Sequence, residues 1–417
     1  MKHNSKFNKV TRLLGFAWLI SIVVLSSVAA TIPPAVISKS VSGVAISNYI
    51  AAQQNPNLTD EEKIKSAIDA YFTTRYEGQK LLATQDFSPV LEDDSLMWAQ
   101  KEKDKREIEL YLASLFDLKY VTYNYILDYD SIEIKNNKAT VQLRESHTVV
   151  FEALAPESSE LFNLPHVFTL HNKKGQWVIY QDKYQDELSE EMNYLNKQEI
   201  KKIIDQNYIE DQNQKSQIID SPEVLTIPST TNRVSYAYSR SSATAYADAH
   251  ATSYNTAYYK TEYYGTTCVD CTNFVSQAIY AGEGKTPPDT SGMTTAANRS
   301  YTYDWYYIFN NPPNTQNGSG SQPWVNVQSQ WDFISNNLQN ESVGPYGYIA
   351  AFSSVAAGDP VYISQTSTHD HEGIIISKGS SLSTTTIDAH CTNRYHYALS
   401  YWATYTPEYI HIQGWQK

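Results

Sequence analysis

The sequence predicts an α+β protein in two parts, an N-terminal helix-plus-curved-sheet domain and a C-terminal helix-and-sheet domain built around one cysteine. Three observations predict it. Two amphipathic helical stripes precede a run of β-rich segments, so helices and strands are grouped rather than alternating. A polar stretch ending in Pro222 and Pro228 separates that group from the rest. Beyond residue 233 the composition changes: Tyr, Ser, Thr and Asn dominate and Lys becomes scarce.

The elements follow in chain order. Residues 1–30 read as a secretory signal peptide, with Lys2, Lys6, Lys9 and Arg12 in front of the apolar run Leu13–Val28 and small residues at Val28-Ala29-Ala30. An uncleaved membrane anchor is the alternative, and membrane contact is expected through this segment alone. Residues 31–58 read as a tether. The N-terminal domain is expected over 59–185. Its first helix is capped by Thr59 or Asp60 and carries Ile64, Ala67, Ile68, Tyr71 and Phe72 on one face. A second helix over about 98–116 has Ile108, Tyr111, Leu112 and Leu115 as its stripe. Strands at 120–130, 131–135, 139–153, 167–171 and 177–181 come next, with hairpin turns at Asn136-Asn137 and Lys174-Gly175. Two helices followed by a meandering sheet resemble, in architecture only, the cystatin-like and nuclear-transport-factor-like folds. His147, His166 and His171 read as ordinary strand histidines. Residues 186–232 read as a linker whose first half extends as a helix.

The third region, 233–417, opens with a helix bearing Ala243, Tyr246, Ala247, His250 and Tyr254. A second helix is predicted from Cys271 to Ala281, with Asp270 as N-cap, Gly282 as its stop and Phe274, Val275, Ala278 and Ile279 buried. An aromatic insert, 283–345, holds Trp305-Tyr306-Tyr307, Trp324 and a short helix near 331–338. The turn Ala357-Gly358-Asp359-Pro360 leads into strands at 361–364, 371–377, 384–390 and 409–413.

Chemistry concentrates at Asp270-Cys271-Thr272-Asn273-Phe274-Val275-Ser276-Gln277. A cysteine at a helix N-terminus meets the dipole and the unpaired N–H groups of the first turn, which favour a thiolate and can hold an oxyanion. Histidines delivered from a sheet, His371 and His390, supply a base. The order helix cysteine, strand histidine, strand polar residue resembles the papain-like hydrolases, and Gly358-Asp359 followed by His371-Glu372-Gly373 resembles the NlpC-type and CHAP-type cell-wall peptidases. The octapeptide, preceded by a Tyr/Ala-rich helix, resembles more narrowly the putative amidase domain family of exported bacterial proteins, over about 233–415. That resemblance implies a papain-like cysteine hydrolase domain with Cys271 as nucleophile, His371 as base and His390 as the second histidine. It also implies an amide or peptide substrate, with peptidoglycan peptide as the candidate. The chain departs from the family pattern at Cys268-Val269, at Glu372 after the first histidine, and at Cys391 after the second.

In Ile387-Asp388-Ala389-His390-Cys391 side chains alternate, so Asp388 and His390 share a face. His390 is then the expected orienter of His371, with Asp388 or Asn393 as substitutes and Asp270 as a supporting group. His369 reads as a loop residue, His250 as a packed histidine, and His396 and His411 as structural. Competing readings stay open. Cys271 reads alternatively as a buried structural thiol. Cys268, Cys271, His390 and Cys391 count as four zinc ligands, but only one C-x-x-C is present and strand neighbours point apart. Cys268 and Cys391 suit a disulfide, and Cys268–Cys271 a redox pair. No metal or cofactor is expected. A net charge of −13 without a basic patch excludes nucleic acid as a natural partner. Three cysteines are too few for a disulfide framework. The non-catalytic alternative is a papain-like module that binds glycan or peptide through the aromatic insert.

Overall fold

Long alternating segments build the first half, and shorter apolar strands complete the sheet they begin. The computed structural model of the chain describes residues 38–41, 43–217, 235–258, 263–264, 267–268, 270–295, 299–309, 320–364 and 368–417. The expected signal peptide, Pro222 and Pro228 lie outside these residues. No helix among the described residues is long and apolar enough to cross a membrane.

The chain runs β1 (Ser38–Val41), α1 (Val44–Gln54), α2 (Asp60–Leu81), β2 (Ala83–Gln85), α3 (Met97–Leu115), β3 (Tyr120–Lys135), β4 (Lys138–Phe151), β5 (Ser159–Lys173), β6 (Gln176–Lys183), α4 (Glu187–Glu191) and α5 (Lys197–Gln217). It continues with β7 (Ser235–Tyr236), α6 (Arg240–His250), β8 (Tyr263–Tyr264), β9 (Thr267–Cys268), α7 (Cys271–Gly282), α8 (Gln322–Val325), α9 (Val327–Asn340) and β10 (Gly344–Ala350). The last strands are β11 (Pro360–Ile363), β12 (His371–Ser377), β13 (Thr386–Ala389), β14 (Asn393–Ala398) and β15 (Glu408–Gln416).

Local chemistry explains the early elements. Thr59 and Glu62 form a reciprocal capping box on α2: the Glu62 N–H donates to Thr59 Oγ1 at 3.2 Å and the Thr59 N–H to Glu62 Oε2 at 2.7 Å. The predicted apolar stripe of α2, from Ile64 to Phe72, is fully buried. At the hairpins Asn136 (φ 55°), Lys174 (φ 56°) and Gly175 (φ 89°) take the left-handed backbone that tight two-residue turns require. Part of the expected tether is folded: α1 buries Ile46 and Tyr49, and the Tyr49 hydroxyl donates to the Trp177 carbonyl at 3.1 Å.

Eleven of the described strands form one antiparallel sheet in the order β10-β15-β11-β12-β13-β14-β5-β4-β3, with β6 also on β5 and β7 on β15. The decisive neighbour pair is β14–β5, with Asn393 opposite Phe162 and Arg394 opposite Leu161. It joins the two halves that the sequence divides. A single apolar core accordingly includes Ile64 and Phe168 from the first half and Ile375, Tyr397 and Trp402 from the second. The described part of the expected linker acts as the seam. On α5, Ile200 and Ile204 are buried, Asn207 Nδ2 donates to the Ala403 carbonyl at 2.8 Å, and Asp211 Oδ1 accepts the Leu382 N–H at 2.7 Å. The described residues from 38 onward thus belong to one compact unit of mixed helix and antiparallel sheet. A second core surrounds α7 with α6, α9 and the aromatic insert.

Candidate functional site

The octapeptide forms the cap and first turns of α7, and Asp270, Asn273, Ser276 and Gln277 anchor it to neighbouring elements. Ser276 Oγ donates to the Trp324 carbonyl at 2.9 Å and accepts from Gln330 Nε2 at 2.9 Å. Gln277 Oε1 accepts the Tyr246 hydroxyl at 2.5 Å, tying α7 to α6. Asn273 Oδ1 accepts the Trp324 indole N–H at 3.0 Å while its Nδ2 donates to Asp270 Oδ1 at 2.9 Å. Phe274, Val275, Ala278 and Ile279 are all fully buried. Phe274, Val275 and Ile279 each contribute about 1.5–3 kcal/mol by burial, so the cysteine sits on a firmly held helix.

Asp270 occupies the N-cap position but makes no side-chain cap. Its second oxygen takes His390 Nδ1 at 2.6 Å instead. The first-turn N–H groups, which an aspartate cap would ordinarily engage, are therefore left to other acceptors. Cys271 opens this turn as a free thiol, 6 % exposed.

His371, the first residue of β12, lies against Cys271. Burial is the largest influence on its imidazole and works to lower the pKa. A hydrogen bond and charge attraction to the Cys271 sulfur, and the same from Glu187, outweigh it and raise the value to about 10. His371 Nε2 stands 3.7 Å from Glu187 Oε1, an ion-pair distance rather than a full hydrogen bond. Its ring meets Trp402 edge-on, with centroids 5.1 Å apart. Gly373 is needed beside it: a Cβ there would come within 2.9 Å of both the Trp402 ring and the Asp388 carbonyl.

Glu187 is the residue that sequence reasoning missed. It lies on α4, at the start of the segment read as linker. Arg394 Nε donates to its Oε1 at 2.9 Å and Nη2 to its Oε2 at 2.5 Å, while the Trp402 indole donates to Oε1 at 3.1 Å. Burial pushes its pKa up, but Arg394 and then His371 overcome this and hold it well below the usual carboxylate range. The available signal was Arg394 itself. An arginine buried on a strand, as Arg394 is, demands a carboxylate partner.

Glu372, next on β12, is wholly buried, and neither carboxylate oxygen has a hydrogen-bond partner. Burial first, and then the negative charge at Cys271, raise its pKa well above the ordinary range. Both influences favour the uncharged form of Glu372 beside the Cys271 sulfur.

The other expected site residues stand elsewhere. His390 does not orient His371. Both its nitrogens are engaged, Nδ1 by Asp270 and Nε2 by the His250 carbonyl at 2.9 Å, and its ring stacks on Phe274 with centroids 4.0 Å apart. The strand ends at Ala389, so His390 stands in the turn beyond it rather than on a face shared with Asp388, where α6 and the Asp270 turn reach it. Asp388 Oδ1 accepts the His396 N–H at 2.7 Å, and Asn393 meets the Tyr254 hydroxyl at 3.3 Å. Neither approaches His371 by a hydrogen bond. His369 bridges Gln328 and Glu408, with Nε2–Oε2 at 2.8 Å. His250 is half-buried rather than packed in the core. Cys391 is disulfide-bonded, which removes it as a zinc ligand; the side chain of its expected partner Cys268 lies outside the described residues. Of the aromatic insert, Trp305 and Trp324 at 0 % and Tyr307 at 1 % exposure are core, while Tyr303 is exposed.

The part of the chain that carries this constellation has a known likeness. Residues 237–412 match the model of the putative amidase domain family. The match suggests amide hydrolysis. It covers the segment with Cys271, His371 and Arg394 but not Glu187, which lies upstream of its start. No curated protein and no solved structure matches the chain.

Proposed function

We propose that the protein is an exported cysteine-dependent amide hydrolase acting on peptide, with cell-wall peptide as the substrate class. The observation that carries the reading is the line Cys271–His371–Glu187, an imidazole set between a thiol on one side and a carboxylate on the other. A thiol that merely fills space has no use for a buried imidazolium beside it.

The chemistry follows from the placement. The His371 imidazolium holds Cys271 as a thiolate, and the α7 dipole adds to this. The sulfur attacks the amide carbon, and charge develops on the carbonyl oxygen. First-turn N–H groups of α7 receive that oxyanion, a role supported by the absence of a side-chain cap from Asp270. His371 then donates its proton to the leaving nitrogen as the C–N bond breaks. Water, deprotonated by the now neutral His371, attacks the thioester and releases the acid, restoring the thiolate–imidazolium pair. Glu187 is a positioning residue that keeps the imidazole oriented and charged. The steps require no metal or cofactor. A thiol helix packed on a histidine strand supports the papain-like assignment for 233–417, and the basic-then-apolar segment 1–30 supports export. The cell-wall assignment rests on the resemblance of the His371-Glu372-Gly373 strand to the wall peptidases.

Iodoacetamide labelling across pH tests the core of this reading. An ordinary thiol, with pKa of about 8.5, reacts slowly below neutrality. Cys271 is expected to label rapidly at pH 6, and to lose that reactivity in His371→Ala. A labelling curve with its midpoint at the ordinary thiol value would remove the thiolate and the mechanism with it.

A further inference from the structure

Behind the nucleophile helix, Asp388 presents an unmet carboxylate oxygen. The residue is 0 % exposed on β13; Oδ1 accepts the His396 N–H, but Oδ2 is buried without a hydrogen-bond partner. An unsatisfied buried acceptor costs about 1–3 kcal/mol, and more when charged. Two further donors converge on it. His396, on β14, has a left-handed backbone (φ 49°), and its ring stacks on Tyr395 at 3.9 Å, with 10° between planes. His396 Nε2 lies 2.7 Å from Asp248 Oδ1, on α6. One ligand atom from each of Asp248, Asp388 and His396 falls within 4.8 Å of the others.

We propose that Asp248, Asp388 and His396 form a binding site for a zinc-type divalent cation that ties α6 to the sheet. The donor set is one imidazole nitrogen and two carboxylates, which suits a borderline cation. Three protein ligands leave a fourth position for water. Calcium, which takes 6–8 oxygens, is poorly served by it. Two negative charges balance the dication. Ligand atoms in a tetrahedral zinc site lie about 3.3 Å apart, so the Asp248–His396 contact must open by roughly half an ångström. Asp248 and His396 are part-exposed, at 39 % and 25 %, which allows that swing and gives the ion a way in. The consequence reaches the active site. The His250 carbonyl, at the end of α6, receives His390 Nε2, and His390 holds Asp270 beside Cys271. A cation fixing α6 would steady the back of the nucleophile turn.

The test uses the full chain carrying Cys271→Ser, so that the active-site thiol does not compete for metal. Chelator-treated protein is titrated calorimetrically with zinc chloride, then with manganese and calcium chloride. Saturable uptake of one Zn²⁺ per chain is expected, with a rise in Tm. Asp248→Asn and His396→Gln in the same background should weaken zinc binding at least tenfold and leave the metal-free Tm nearly unchanged. Asp248 is on the surface, so its variant reads out even where Asp388→Asn fails to fold. No saturable zinc uptake, undiminished binding by Asp248→Asn, or tighter binding of calcium than zinc would each overturn the proposal. A metal-free Asp248–His396 ion pair would then be the whole of the arrangement.

Discussion

Among the described residues, two buried histidines carry raised pKa values, and only one of them faces a thiol. In the first half, His166 Nδ1 meets Asp182 Oδ2 at 2.9 Å and Nε2 meets Glu145 Oε2 at 3.1 Å. Burial works against its charge, but Asp182 and Glu145 raise its pKa to about 9. In the second half, His371 reaches about 10 with a thiol on one side and Glu187, at 3.7 Å, on the other. The difference is in the partners. His166 is closed on both sides by carboxylates and stacks on Tyr184 with centroids 4.6 Å apart. A proton on it can go nowhere useful. His371 has the free Cys271 sulfur, at a helix N-terminus, on one side and one loosely held nitrogen on the other. A displaced pKa marks a buried charge; asymmetric partnering marks chemistry.

The sharpest way to break this contrast is to remove the nucleophile. Cys271→Ser should lower kcat/KM for a soluble amide substrate by about 10⁴-fold or more while leaving the thermal transition close to wild type. Appreciable turnover by that variant would dissolve the distinction between the two histidines.

Next in size is Glu187→Gln. Loss of an orienting partner should reduce kcat by about 10–100-fold. Stability should fall by about 3–5 kcal/mol as well, because Arg394 keeps a buried charge without its counterion. A pH profile separates the two roles. His371 keeps its proton up to about pH 10, so the alkaline limb of kcat/KM should lie high in wild type. Without the Glu187 charge that limb should move to lower pH. An unmoved limb would reduce Glu187 to a structural anchor for Arg394.

The converse variant, His166→Gln, should leave turnover per folded molecule unchanged but destabilise by about 3–5 kcal/mol, as for a broken buried ion pair. Its pH signature has a definite sign. The folded-state pKa of His166 is raised, so its contribution is complete below the unfolded value of about 6.5 and disappears as pH climbs through about 9. Denaturant melts of wild type should show stability falling over that window, and the variant should be flatter. Equal slopes would mean that His166 is neutral in the fold.

His390→Gln should have the smallest effect, a loss of activity of a few fold, since His390 acts through Asp270 rather than on substrate. Abolition of activity would return His390 to the first rank.

The setting of Cys271 was legible because it is local. A cysteine behind an aspartate at the head of an apolar helix can be read in eight residues, and His371 follows from its place before an isoleucine run. The capping box at Thr59 and the turns at Asn136 and Lys174 were legible for the same reason. Glu187 was not, because its meeting with His371 depends on β14 pairing with β5, a contact between residues more than two hundred positions apart. The cap role expected of Asp270 fell to a competitor that local sequence cannot show: His390, brought in by the sheet, offers its carboxylate a shorter and stronger partner. The segment 186–217 looked like a linker because α5 presents few apolar residues. It earns its place through Asn207 and Asp211, polar groups that bond to backbone of the far half.

The β14–β5 pair also bears on how this protein can be handled as material. A piece cut at the limits of the family match would carry β14 as a bare edge, with the hydrogen-bonding groups of Asn393, Arg394 and Tyr395 that pair with β5 opened to solvent. Arg394 would lose its carboxylate at the same stroke. Bare flat edges recruit other chains. Such a fragment would tend to stack upon itself, and any graft of the catalytic segment onto another scaffold must bring β5 and α4 with it.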